Sequence, residues 1–125
     1  MSVYAEIKDR QPDMTNCFFA FSNEQIAEGK KKIPEREKIF YSGLGLYGTK
    51  EGLKSFYSFY DAMMKEIAEK CDPQEVYDYE FDNYECSYTN DDTEAVKVVV
   101  AIFSEDRSAK VKRRFAVVGI NDLFK

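Results

Sequence analysis

The sequence predicts an α+β fold: a small antiparallel sheet, including a hairpin near 75–89, packed against a long amphipathic helix at about 49–70 and further helices. Three observations carry this. The run Tyr77-Asp78-Tyr79-Glu80-Phe81-Asp82-Asn83-Tyr84-Glu85-Cys86-Ser87-Tyr88 alternates aromatic and acidic residues and changes phase at Asp82-Asn83. Leu53, Phe56, Tyr57, Tyr60, Met63, Met64 and Ile67 recur at three and four residues, the wide apolar stripe of a core-facing helix. Elsewhere, compact apolar runs are separated by helical patterns. A length of 125 residues and a hydrophobic fraction of 44% fit one domain, 1–125, with one core.

In chain order, Val3, Tyr4 and Ile7 share a helical face, and the short helix they imply ends near Pro12. Cys17-Phe18-Phe19-Ala20-Phe21 is a strand by composition. Ser22 then caps a helix carrying Ile26, Ala27 and Ile33, with Glu24 and Gln25 in its first turn. Lys30-Lys31-Lys32 complements the dipole of its last turn, Gly29 weakens it, and Pro34 stops it. Lys38-Ile39-Phe40-Tyr41-Ser42 is the next strand, Gly43-Leu44-Gly45-Leu46-Tyr47-Gly48 a loop, and Thr49 the cap of the long helix.

Asp72-Pro73 ends that helix, and the hairpin follows. With Asp82 and Asn83 in the turn, Phe81 faces Tyr84, Tyr79 faces Cys86 and Tyr77 faces Tyr88, all on one side, and the acids fall on the other. Asp78, Glu80 and Glu85 are therefore expected on an exposed face. Thr89-Asn90-Asp91-Asp92 is a cap cluster ahead of a helix bearing Ala95, Val96, Val99, Ile102 and Phe103. Lys110, Lys112, Arg113 and Arg114 make a basic segment, and Phe115 to Ile120 is a last strand or an ordered tail.

Composition narrows the function. The chain has no histidine, so a Ser–His or Cys–His nucleophile is unavailable to it alone. Three dispersed cysteines and no Cys-x-x-Cys give no zinc site and fit reduced thiols in a cytoplasm. A net charge of −5 opposes direct binding of nucleic acid or of an anionic membrane. No apolar run reaches the ~20 residues that span a bilayer. No enzymatic activity, no cofactor and no resident metal are expected. A hard cation on Asp78, Glu80, Glu85 or Asp91 lacks the spacing of a calcium loop.

Two constellations carry binding chemistry. From Cys71 through Val96 there are nine carboxylates and no Lys or Arg. Such a stretch is either a solvated face or a surface for a cationic protein partner. Asp78, Glu80, Glu85, Asp91 and Asp92 would supply the charge, and Tyr84 and Tyr88 the aromatic anchors. The second is the Gly43–Gly48 segment, which matches G-x-G-x-x-G. Gly43, Gly45, Gly48, Thr49 and Lys50 would cradle an anion at a helix N-terminus. The second strand and acidic residue of a dinucleotide fold are missing, so a flexible turn with a Thr cap is the plainer reading. An anion site here would make the protein a nucleotide-signal sponge, with sites between subunits of a homo-oligomer.

The runs Cys17-Phe18-Phe19-Ala20-Phe21-Ser22-Asn23-Glu24-Gln25, Gly45-Leu46-Tyr47-Gly48-Thr49-Lys50-Glu51-Gly52 and Cys71-Asp72-Pro73-Gln74-Glu75-Val76-Tyr77-Asp78-Tyr79-Glu80 carry a resemblance. They resemble a family of small uncharacterised proteins from phages and mobile genetic elements of anaerobic bacteria, from about Cys17 to Arg114. The resemblance implies no catalytic residues. It implies a cytoplasmic accessory protein of a bacterial host cell that counters host defence, and by analogy one that blocks a nucleic-acid-binding surface.

Overall fold

A computed structural model describes residues 2–124. It is α+β: eight helices and one three-stranded antiparallel sheet among the described residues. The chain's internal contacts gather into two compact units, residues 11–62 and residues 1–10 with 63–125.

The unit of residues 11–62 holds the sheet. Strands β1 (Cys17–Phe19), β2 (Phe40–Gly43) and β3 (Leu46–Gly48) lie in the order β1-β3-β2. Alternate residues point to opposite faces, and each face has its own cluster. Cys17 and Leu46 pack with Phe56, Met14 and Leu53. Phe18 and Tyr47 pack with Ala20, Ile33, Ile26 and Ile39. Helix α2 (Asn23–Lys30) starts where the sequence places it: Ser22 accepts from the Gln25 amide, and Gln25 reaches back to accept from the Phe21 amide at 2.7 Å. It ends at Lys30, short of Ile33.

The Gly43–Gly48 segment is not an open loop. Gly43, Leu44 and Gly45 have φ of +94°, +53° and +84°, and Leu44-Gly45 forms the two-residue turn joining β2 to β3. Such a tight antiparallel turn needs positive φ, which is why glycines flank Leu44.

Helix α3 (Lys50–Lys70) begins on Thr49, whose Oγ1 accepts from the Gly52 amide at 3.0 Å. Its apolar stripe is divided: Leu53 and Phe56 pack in the 11–62 unit, while Met63 and Ile67 are buried farther along. Tyr57 and Tyr60 lie between them and are exposed, contrary to a continuous core-facing stripe.

The other unit is helical. It comprises α1 (Val3–Lys8), the end of α3, α4 (Pro73–Asn83), α5 (Cys86–Thr89), α6 (Thr93–Ile102), α7 (Glu105–Ala109) and α8 (Ile120–Leu123). Its core includes Tyr4, Ile7, Ile67, Val76, Tyr77, Phe81, Cys86, Val96, Val99 and Phe103.

The hairpin expected near 75–89 is absent; those residues form α4 and α5. Asp72 caps α4 by accepting from the Gln74 amide at 2.9 Å, and Pro73 takes its first position, where a missing N–H costs nothing. Asp72-Pro73 therefore starts a helix as well as stopping one. Val76, Tyr77, Glu80 and Phe81 then form the buried face at helical spacing. The phase change at Asp82-Asn83 marks the helix end, not a β-turn. Glu85 turns left-handed (φ +52°) to launch the single turn of α5, and Asn90 (φ +54°) closes it. Phe115 to Gly119 is an irregular tail, not a strand.

Candidate functional site

The nine carboxylates between Cys71 and Val96 do not form one face. Glu80, expected outside, is fully buried: Lys8 ion-pairs with its Oε1, the Tyr4 hydroxyl donates to the same oxygen at 3.3 Å, and Oε2 has no hydrogen-bond partner. Asp92 is fully buried too. It accepts from the Tyr77 hydroxyl (2.8 Å) and from Nε of Arg113 (2.8 Å), whose second nitrogen takes its other oxygen. Neither residue can meet a partner. Asp78 is half-buried, accepts from Gln74 Nε2 at 3.0 Å and lies 3.5 Å from Arg114. Asp91 accepts from the Thr93 side chain and backbone, and those bonds hold its carboxyl below the usual range. The basic residues missing from the acidic stretch thus arrive from Lys8, Arg113 and Arg114.

Sequence reasoning missed this network. Its one available signal was complementarity between the lysine-free acidic stretch and the basic segment Lys110–Arg114. Arg113 Nη1 also donates to the Val118 carbonyl at 2.7 Å, and the Tyr77 hydroxyl accepts from the Arg114 amide at 2.9 Å. The side-chain amide of Gln74 accepts from the Lys112 N–H and donates to its carbonyl. The irregular tail is therefore held in place by side chains of α4 and by Asp92.

What stays accessible is the corner between α4 and α5. Tyr84 and Tyr88 are 46% and 85% exposed, and Asp82 and Glu85 beside them have no ion pair among the described residues. Backbone hydrogen bonds and one buried side chain hold the corner. The Tyr84, Glu85 and Tyr88 amides donate to the carbonyls of Glu80, Asp82 and Glu85, and Cys86 is anchored in the core at 1% exposure. Burial pushes the Cys86, Cys71 and Cys17 thiols up, away from the thiolate form.

The G-x-G-x-x-G residues are accounted for by the β2–β3 turn and by close packing. The Thr49 amide donates to the Asn16 carbonyl at 2.9 Å and the Gly52 amide to Thr49, so two donors that an anion would need are already engaged. Lys50 is exposed. A cleft of about 700 Å³ lies elsewhere in the same unit, between α2 and β2, and one of about 680 Å³ in the helical unit beside Lys70, Arg107 and Lys110. Among the described residues no group of three or more Cys, Asp and Glu could hold a metal ion, and no helix is long and apolar enough to cross a membrane.

The buried phenols give a testable pH dependence. Burial, together with its bond to Asp92, pushes Tyr77 up to about 12, and burial beside Glu80 raises Tyr4 further. Unfolded tyrosine ionises near pH ~10. The contribution of the neutral phenols is thus fully present below about pH 10 and is lost as pH climbs from there through the folded values. The melting temperature should fall steeply above about pH 10, and Tyr77→Phe should flatten that fall; equal slopes in the two proteins would remove Tyr77 as its source.

No curated protein and no solved structure matches this chain. A family model does match, over residues 3–116, which takes in both units, the α4–α5 corner and the acids with their basic partners. The chain therefore belongs to that family, the family of unknown function DUF7659.

Proposed function

We propose that this protein is a non-enzymatic binding protein whose α4–α5 corner docks on a positively charged protein surface. The observation that supports it is the pairing of two exposed tyrosines with two unpaired carboxylates on a backbone-locked corner. Tyr84 and Tyr88 flank Glu85, and Asp82 stands one turn before. Rigid aromatic anchors add affinity at little entropic cost, while the carboxylates steer and select a cationic partner. Asp78 and Asp91 extend the negative rim, and Glu80 and Asp92 take no part.

The resemblance to phage and mobile-element proteins supplies the setting. In a bacterial cytoplasm, Asp82 and Glu85 would stand in for backbone phosphates against the Arg and Lys side chains of a host defence complex, such as a nucleic-acid-guided nuclease. Affinity capture from a host lysate, run with the wild-type chain and with Asp82→Lys/Glu85→Lys/Tyr88→Ala, tests the reading. Basic proteins held by the wild type should be lost from the triple variant. They should also elute between about 0.1 M and about 1 M salt, as the Debye length shrinks from about 10 Å to about 3 Å. If the folded triple variant captures the same proteins, the corner is only a solvated surface.

A further inference from the structure

An aromatic row in the other unit ends at a cleft and is independent of the corner. Across the sheet, Phe18, Tyr47 and Tyr41 occupy one row of the register. The Phe18 and Tyr47 rings stack at 5.4 Å and 8°, and Tyr41 continues the row at 4.8 Å and 37°. Burial falls along the row. Phe18 is in the core, Tyr47 is half-buried, and Tyr41 is 61% exposed. The row thus ends in an open ring instead of a packed one, and Tyr41 and Tyr47 line the cleft of about 700 Å³. The Tyr41 hydroxyl accepts from the Gly45 amide at 3.5 Å, which orients the ring on the turn.

The rest of the lining divides by chemistry. Ile26 and Ile39 make an apolar wall continuous with the Phe18 cluster. Lys30, the last residue of α2, and Lys38, just before β2, stand at the rim without an ion pair among the described residues. Asn23 and Glu37 add one side-chain amide and one carboxylate. An aromatic platform stacks flat rings, two free ammonium groups attract an anion, and an amide with a carboxylate reads donors and acceptors at a ring edge. The volume lies within the range of small-molecule sites, roughly 300–1,000 Å³.

We propose that this cleft binds a mononucleotide-sized ligand. Its planar base stacks on Tyr41 beside Tyr47, its phosphate meets Lys30 and Lys38, and its exocyclic amine donates to Glu37. The assignment gives the stacked row a purpose that packing does not, because packing would have covered Tyr41.

Calorimetric titration of the full chain with AMP, GMP, adenosine and inorganic phosphate, each alone, tests it. At least one nucleotide should bind with a submillimolar Kd, adenosine more weakly, and phosphate more weakly still. Tyr41→Ala removes an exposed ring and should weaken nucleotide binding about tenfold or more, while Tyr41→Phe should retain it. Lys30→Ala/Lys38→Ala should lose the advantage of AMP over adenosine and leave adenosine unchanged. Three results would overturn the proposal: no nucleotide binding at millimolar concentration, a folded Tyr41→Ala variant that binds like wild type, or phosphate binding as tightly as the nucleotides. A single-stranded oligonucleotide binding far more tightly than any mononucleotide would overturn the small-ligand assignment.

Discussion

Arg113→Ala should lower the unfolding free energy by about 3–5 kcal/mol, the usual cost of removing one partner from a buried ion pair. Asp92 is fully buried, and the Arg113 side chain is only 12% exposed. Deleting the guanidinium strips both Asp92 oxygens of charge-assisted donors and leaves the Tyr77 hydroxyl alone against a buried carboxylate. It also frees the Val118 carbonyl, and with it the tail's hold on the helical unit. Urea denaturation would show a lower midpoint. The double variant Arg113→Met/Asp92→Leu should recover much of the loss, because no unpaired charge then remains inside. If Arg113→Ala alone costs under about 1 kcal/mol, the pair behaves like a surface bridge and the buried description is wrong.

Gly52→Ala should destabilise by about 1–3 kcal/mol, the range for overpacking, against the sign that helix propensity gives. In an exposed helix the same change would gain about 1 kcal/mol. Here a methyl group on Gly52 would overlap the Asn16 carbonyl, which is backbone and already accepts from the Thr49 amide. Asn16 itself has a φ of +61°, so it has little freedom to retreat. A thermal melt decides between the two effects, since a higher melting temperature for Gly52→Ala would mean that the contact yields easily.

Elements with a local signal were legible in the sequence. Ser22 and Thr49 mark helix starts through hydroxyls that cap in place, and the cap cluster at Thr89 to Asp92 precedes α6. The α+β class rests on those elements and on β1 and β2. The stretch from Tyr77 to Tyr88 was not legible, because its period of two hides a period near 3.6. Tyr77 and Phe81 are four apart and share the buried face, while Tyr79 sits on its flank, edge-on to Tyr4 at 5.3 Å. Alternation over five residues satisfies both patterns, and Asp72-Pro73 was the tie-breaker. Of the candidate site, the exposure of Glu85 follows the sequence expectation even though the element carrying it is different, whereas Tyr84 and Tyr88, placed by the hairpin register on the face turned away from solvent, are exposed because α4 ends at Asn83. The burial of Glu80 and Asp92 had no local signal, since their partners Lys8 and Arg113 lie 72 and 21 residues away.

The helical unit is discontinuous in sequence, and this bears on how the chain folds as it is made. Residues 11–62 are contiguous, so everything that unit needs leaves the ribosome in one piece. Helix α1 leaves earlier but has nothing to pack on: the Tyr4 amide finds its acceptor on Glu75, 71 residues downstream. At translation speeds of about 5–20 residues per second, Tyr4 and Ile7 wait roughly 4–14 s as bare apolar side chains. That interval is a window for a nascent-chain chaperone. The early-emerging segment 11–62 then becomes a loop whose flanks meet first where Arg10 pairs with Glu66 near the end of α3 and then where Tyr4 meets Glu75 of α4.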